Sequence, residues 1–422
     1  MMQLHPVLEM GEIPANSKMW YVISAGGCTP PSMRVGHSGI SLPSKSASKV
    51  LLLGGANPNG VFPENHLLNL DSYEWEKVPW QGLKGRYEHA AFLPTTQNDK
   101  VFVFGGADQS GNLNDLQVLD LQTGKWSGVE VSGEAPSPRT CRGSAWCNGQ
   151  LYVFSGGEQG TDPVADSKLH VFHSESQTWK QPEVTGQVPK PRHGHATVSI
   201  GRKLYLHGGM ARDTYYDDLH EYDIETSVWK QIKCTGDVPP GMAAHGAVAF
   251  GQKVVIFGGM IKDGASDTTY VLDTDKFQWK KVELTGPPPA SRLDHAMCIV
   301  TFTFPRDLPP KETDPQRGDC ALPGIIDITK DAMFVVDGVK QDLSNDDEQG
   351  VGAAAGTDHH LGASDAQTLA SPDGNKPLHP EAATAVSSLD NVDVASCVFV
   401  HGGMDVSGQI FDDCLVIKLD DL

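Results

Sequence analysis

At 422 residues, with 45 glycines and 28 prolines and no collagen period, the chain has the turn density of a protein built from many short strands. Its 33 basic and 53 acidic residues leave a formal charge of −20, which argues against nucleic acid or an anionic lipid surface as a direct partner. There is no run of 18 apolar residues, no basic and apolar N-terminal signal, and no Cys-x-x-Cys pair among the eight cysteines; a reduced, cytosolic setting without membrane insertion is expected.

Residues 1–19 read as a tail, and a strand-like run at 20–23 carries an isolated Trp20. Beyond it one pattern recurs. A unit opens on Arg-x-x-His, at Arg34/His37, Arg86/His89, Arg192/His195 and Arg292/His295. The third unit opens at Arg139 and has Arg142 where the histidine is expected; the fifth has Met242 in place of the arginine, ahead of His245. A β-rich run follows and ends on a Gly-Gly pair, starting at Gly54, Gly105, Gly156, Gly208, Gly258 and Gly402, the first five spaced by 51, 51, 52 and 50 residues. After another strand-like run comes a tryptophan, 21 residues beyond the pair for Trp75, Trp126, Trp229 and Trp279, and 23 beyond it for Trp179. The repeats span about 34–75, 86–126, 139–179, 192–229, 242–279 and 292–422.

Each unit thus holds four short strands, which cannot bury both faces alone but can when units stack around an axis. The sixth unit lacks its own tryptophan, while Trp20 stands 17 residues before His37, against 14 to 16 in other units. The run at 20–23 is therefore expected to complete the last blade by pairing with the strand around 414–418, so that no sheet edge is left free. His295 and the last Gly-Gly are 107 residues apart, against 13 in the two preceding units. The extra segment, 305–394, has 17 acidic and 6 basic residues and one aromatic, Phe334. Low hydrophobicity with net charge does not offset ordering entropy, so this segment is expected to be disordered and to divide the propeller into 20–304 and 395–422.

The Gly-Gly pairs end strands and precede no helix pattern, so they read as backbone devices rather than phosphate loops. The histidines at 37, 89, 195, 245 and 295 sit in separate units and read as buried imidazoles bonded to neighbouring backbone, not as a metal ring. The arginines at 34, 86, 139, 192 and 292 are expected to satisfy inter-blade carbonyls and carboxylates, and the tryptophans to pack between blades. Asp162, Asp166 and His170 have a metal-like spacing of four, but a strand spreads such residues by roughly 13 Å per step. No catalytic or metal motif stands out, and no cofactor is called for. Positions that break the repeat are free to serve a partner. A mixed-charge ring of Glu88, Asp108, Arg142, Glu158, Arg212, Lys262 and Asp294 is expected around the channel mouth, with methionines 210, 242, 260 and 404 making the face adaptable.

The period near 50, the Gly-Gly pair and the late tryptophan followed by Lys180, Lys230 and Lys280 resemble the Kelch family, and imply an all-β, six-bladed Kelch-type propeller. Within it, Val35-Gly36-His37-Ser38, Arg86-Tyr87-Glu88-His89-Ala90 and Tyr216-Asp217-Asp218-Leu219-His220 resemble the Kelch-repeat effectors of a late-endosomal Rab GTPase. So do Arg292-Leu293-Asp294-His295-Ala296 and Phe411-Asp412-Asp413-Cys414. That resemblance implies a cytosolic protein that binds the GTP form of the Rab; a monomer is expected. It implies a peripheral place on endosomal membranes, a role in endosome-to-trans-Golgi transport and mannose 6-phosphate receptor recycling, and a phosphoinositide lipid kinase as second partner. A Kelch substrate adaptor and a metal-dependent propeller enzyme are the alternatives.

Overall fold

A computed structural model describes residues 5–27, 29–42, 48–94, 96–305, 392–420 and 422. Every named element among them is a strand. Six blades each carry four antiparallel strands in a meander. The first is Ser38–Leu42, Lys49–Leu53, Asn65–Asn69 and Glu74–Lys77; the fourth is Ala196–Ile200, Lys203–His207, Leu219–Asp223 and Val228–Ile232. The second strand of each blade is the most apolar and is buried on both faces, as in Lys49–Leu53 and Lys253–Phe257. The outermost strand buries one tryptophan and exposes its neighbours, as in Gln278–Lys281.

Blade six is composite. Tyr21–Ile23 pairs antiparallel with Cys414–Lys418, placing Tyr21 opposite Val416 and Ile23 opposite Cys414. Trp20 is fully buried and packs on Phe257 of blade five, ring centroids 4.9 Å apart. The same contact goes round the ring: Trp75 meets His401, Trp179 meets Phe104, Trp229 meets Phe154 and Trp279 meets His207. Trp126 shares a core cluster with Leu53. In every case the partner is the last residue of the second strand in the preceding blade.

The Gly-Gly pairs have a specific cause. In five blades the amide of the second glycine donates to the next blade: Gly55 to the Arg86 carbonyl, Gly106 to Arg139, Gly209 to Met242, Gly259 to Arg292 and Gly403 to Arg34; in blade three Gly156, the first of its pair, donates to Arg192, all at 2.7–3.1 Å. Six links close one circle, and the last ties blade six to blade one. A Cβ on the first glycine would press into the next blade, as at Gly54 against His89 and the Arg86 carbonyl, and one on the second into its own blade's histidine, as at Gly55 against His37. Blade three corrects the expected register. There the strand Gln150–Phe154 is followed by Ser155 and Gly156 in the left-handed region, and the Ser155 carbonyl takes the arginine bond that Gly54 takes in blade one. Ser155, not Gly156, is the counterpart of the first glycine. Its hydroxyl bonds the Val164 carbonyl and accepts the Arg192 amide, which holds a serine where the other blades use glycine.

Arg34, Arg86, Arg139, Arg192 and Arg292 are all buried at the blade junctions. Each spends one guanidinium N–H on the carbonyl two residues earlier and another on the residue after the second strand, as Arg86 does on Lys84 and Gly105. Four of them pair with a carboxylate of their own blade: Asp115, Asp166, Asp218 and Asp413. Asp166 is thereby tied to Arg139 at 2.9 Å, and Asp162 faces Arg212 at 2.8 Å. In blade five Met242 replaces the arginine and Thr268 stands at the carboxylate position, so both charges of the pair are gone together.

The acidic insertion begins later than expected. Ala296–Pro305 and Val392–His401 pair along their full length, out to Pro305 opposite Val392. Positions 305 and 392–394 therefore belong to blade six, and the expected disorder concerns residues 306–391, which lie outside the described residues.

Candidate functional site

The axial channel is lined by the first strands and entered past the residue just before each histidine. Those residues were expected to be free. Instead their backbones form a second inter-blade circle. Gly36 donates to the Asp294 carbonyl, Glu88 to Gly36, Cys141 to Glu88, Ala244 to Gly194 and Asp294 to Ala244, at 2.6–3.0 Å. Five of them share a left-handed backbone, with φ of 64° at Gly36, 50° at Glu88, 61° at Gly194, 57° at Ala244 and 54° at Asp294. A side chain is strained there. At Gly194 an added Cβ would also stand 3.0 Å from the Ala244 amide nitrogen. Gly194→Ala should therefore cost about 1–2 kcal/mol, whereas Ala244→Gly should stay within roughly 1 kcal/mol of the parent. Denaturant titration reads both, and equal losses would mean that backbone handedness does not select glycine here.

Blade three departs from the pattern. From the arginine to the first-strand alanine there are four positions in blade two (Arg86 to Ala90) and six in blade three (Arg139 to Ala145). Arg142 is therefore not a substituted histidine but part of an inserted turn, Cys141 to Ser144. Its guanidinium crosses the channel and donates to Asp294 Oδ1 at 2.7 Å and to the His295 carbonyl at 2.6 Å. The Asp294 side chain is 4% exposed and that of Arg142 17%. Burial raises the Asp294 carboxyl above its ordinary value in spite of Arg142. The expected placement of Arg142 and Asp294 as surface charges is thus corrected: they answer each other inside the mouth.

Beneath this pair a cavity of about 200 Å³ is lined by His37, His89, His195, His245 and His295. Two of these rings bond not to backbone, as expected, but to a ring of the preceding blade: His37 to His401 at 2.9 Å and His245 to His207 at 3.2 Å. Burial, followed by neighbouring arginines, lowers His89 and His195 to about 3, so these imidazoles stay neutral. Among the described residues no three histidine, cysteine or acidic side chains are grouped to hold a metal ion.

The other predicted positions lie on the ribbons that follow the paired glycines. Glu158, Arg212 and Lys262 are exposed on the hairpins Gly157–Gln159/Asp162–Pro163, Met210–Ala211/Thr214–Tyr215 and Met260–Ile261/Gly264–Ala265. Asp108 is half-buried, held 3.1 Å from Lys84 and bonded to Ser110. Glu88 is half-buried in the backbone circle. The methionines divide: Met210 and Met242 are buried in the ring, which corrects their expected place on an adaptable face, while Met260 and Met404 are half-exposed.

One signal in the sequence went unread. A glycine stands seven residues after every blade tryptophan, at Gly27, Gly82, Gly133, Gly186, Gly236 and Gly286. At the first five a Cβ would run against the carbonyl of the next blade's tryptophan, because the exiting chain runs parallel to that outer strand, as Thr185–Gly186 does beside Val228–Ile232.

A family model described as the KLHDC2/KLHL20/DRC7 Kelch-repeats domain matches residues 36–259, and a Kelch motif model matches 242–283. The Mus musculus protein named Rab9 effector protein with kelch motifs is 43% identical over 98% of this chain and 97% of its own length. The Homo sapiens protein of that name is 49% identical over 51% of this chain, and the Danio rerio one 40% over 52%. In these two matches the chain spans 58% and 66% of the relative's length.

Proposed function

This chain belongs to the Kelch-repeat family of the Rab9 effector proteins with kelch motifs, and from that premise we propose that it binds a Rab-family GTPase in its GTP form through the exposed ribbons of the propeller. The observation that carries the reading is the 43% identity to a Rab9 effector over 98% of the chain. The reading is of a binding protein, not an enzyme. It is supported by a ring whose repeat residues are used up in blade-to-blade contacts, while the side chains of Glu158, Arg212 and Lys262 are exposed on the ribbons, Arg212 in a solvent-facing pair with Asp162. On this reading the protein joins endosomal membranes through its partners, serves endosome-to-trans-Golgi transport and mannose 6-phosphate receptor recycling, and takes a phosphoinositide lipid kinase as a further partner.

The test is a titration of the chain against a panel of Rab GTPases loaded with a GTP analogue or GDP. At least one GTP form should bind and its GDP form should bind more weakly. Reversing Glu158, Arg212 and Lys262 together should weaken binding tenfold or more, equivalent to about 1.4 kcal/mol. Melting should barely move, as exposed substitutions usually stay within about 0.5 kcal/mol each. Absence of binding to every Rab sinks the reading. Binding that survives the reversal but is lost on deleting 306–391 moves the recognition element into that acidic segment.

A further inference from the structure

We infer that the inserted turn of blade three is a latch: it breaks the inner link between blades three and four, and Arg142, carried on the turn, reaches across the channel to blade six and holds shut the seam at which the ring opens first.

The break has a visible cause. In the inner circle each pre-histidine carbonyl accepts an amide from the next blade. At blade three the Cys141 carbonyl is instead taken within its own turn, by the Ser144 amide at 3.1 Å and the Ser144 hydroxyl at 2.7 Å. Cys141 also lacks the left-handed backbone of its five counterparts. Among the described residues, the Gly194 amide receives no link from blade three, and five of six inner bonds remain. Gly143 fills the gap so closely that a Cβ would collide with the His195 carbonyl.

The other bonds between the two blades lie off the inner circle: Ser199 Oγ to the Trp146 carbonyl at 2.7 Å, the Arg192 amide to Ser155 Oγ at 2.9 Å and the Arg212 amide to the Thr161 carbonyl at 2.9 Å. The outer-circle bond from Gly156 to the Arg192 carbonyl persists at 3.0 Å. On the ribbons Arg212 meets Asp162, but their side chains are 78% and 54% exposed, and such pairs contribute little. An open cleft of about 1050 Å³ runs beside this junction, lined by Trp179 and Lys180 of blade three and Ile224 and Glu225 of blade four, while Tyr152, Val171 and Tyr222 pack in one shared core cluster. Against this, Arg142 makes two short charge-assisted bonds to blade six from inside the channel. A strut across a six-membered ring restrains both halves at once, so it replaces the missing neighbour contact with a contact to the opposite blade.

Hydrogen exchange of the full-length chain, read by mass spectrometry, tests this. In the unmodified protein, peptides covering 140–147 and 193–200 should exchange faster than the matching peptides of the other four blades. In Arg142→Met with Asp294→Asn, which leaves no lone buried charge, exchange there should speed up tenfold or more while Lys49–Leu53 and Lys253–Phe257 stay unchanged. Arg142→Lys, which keeps the charge but not the two-pronged geometry, should fall between. Unchanged exchange at the seam in both variants, an equal rise in all blades, or first opening at another junction in the unmodified chain each overturns the latch.

Discussion

Removing residues 1–25 should abolish the cooperative fold of the ring, not trim a tail. The deletion takes away Trp20, which is fully buried against Phe257, and the whole strand Tyr21–Ile23, whose Tyr21 and Val22 face Val416 and Leu415. It leaves Cys414–Lys418 with a bare edge beside a core that includes Val398, Val400 and Ile417. Trp20→Ala alone isolates the packing part. A tryptophan truncated in a closed core costs about 3–5 kcal/mol, so this variant should still melt as one transition, at clearly lower temperature. The truncated chain loses the backbone pairing as well and should give a broad, early transition and self-association through the open edge. Calorimetry with size-exclusion chromatography separates these results. A truncated chain that melts within a few degrees of the parent would mean that the ring closes by other means.

That clasp was legible because it rests on spacing: a tryptophan out of place at one end and one missing at the other. The six blades and the interblade role of tryptophan, arginine and paired glycine were readable for the same reason, since each repeats at a fixed interval. What escaped was local. Ser155 does a glycine's work because a hydroxyl finds two buried partners there, and nothing in the spacing predicts that. The two-residue insertion after Arg139 was read as a substitution, because Arg142 falls three residues after the arginine as the histidines do. The side-chain charge of Asp294 looked available because the sequence does not show that Arg142 reaches it across the channel. Of the charges on the outer ribbons, Glu158, Arg212 and Lys262 are exposed, whereas Asp108 is half-buried against Lys84.

The chain also contains its own control for what the buried ion pairs contribute. Blades one, two, four and six have an arginine and, directly before the third strand, a carboxylate; blade three draws its carboxylate from Asp166, two residues earlier, and blade five has Met242 and Thr268 at the two positions and keeps the same fold around them. Transplanting that solution into blade four should separate the cost of breaking a pair from the worth of having one. Arg192→Met leaves the Asp218 carboxylate, whose side chain is 18% exposed, without its bidentate partner. Losing one member of such a pair costs about 3–5 kcal/mol. The lower end is expected here, because His220 Nε2 stays 3.0 Å from the same carboxylate, and the methionine can pack on Tyr216, over which Arg192 now lies at 4.1 Å. Adding Asp218→Thr removes the stranded charge and should return most of the loss, leaving the double variant within roughly 1.5 kcal/mol of the parent. Acid supplies a second reading. Burial pushes the Asp218 carboxyl up, but hydrogen bonds from His220 and Arg192 outweigh it and hold the group below its ordinary value. A carboxyl depressed in the folded state stabilises above its unfolded value, about 3.9, and that contribution is lost as pH falls from there towards the folded value. The gap between parent and double variant should therefore narrow between pH 7 and pH 3, as followed by denaturant midpoint. If the double variant is as damaged as Arg192→Met alone, the arginine matters for the backbone carbonyls of Lys190 and Gly208 that it also binds, and the methionine of blade five is tolerated only because its own surroundings were built for it.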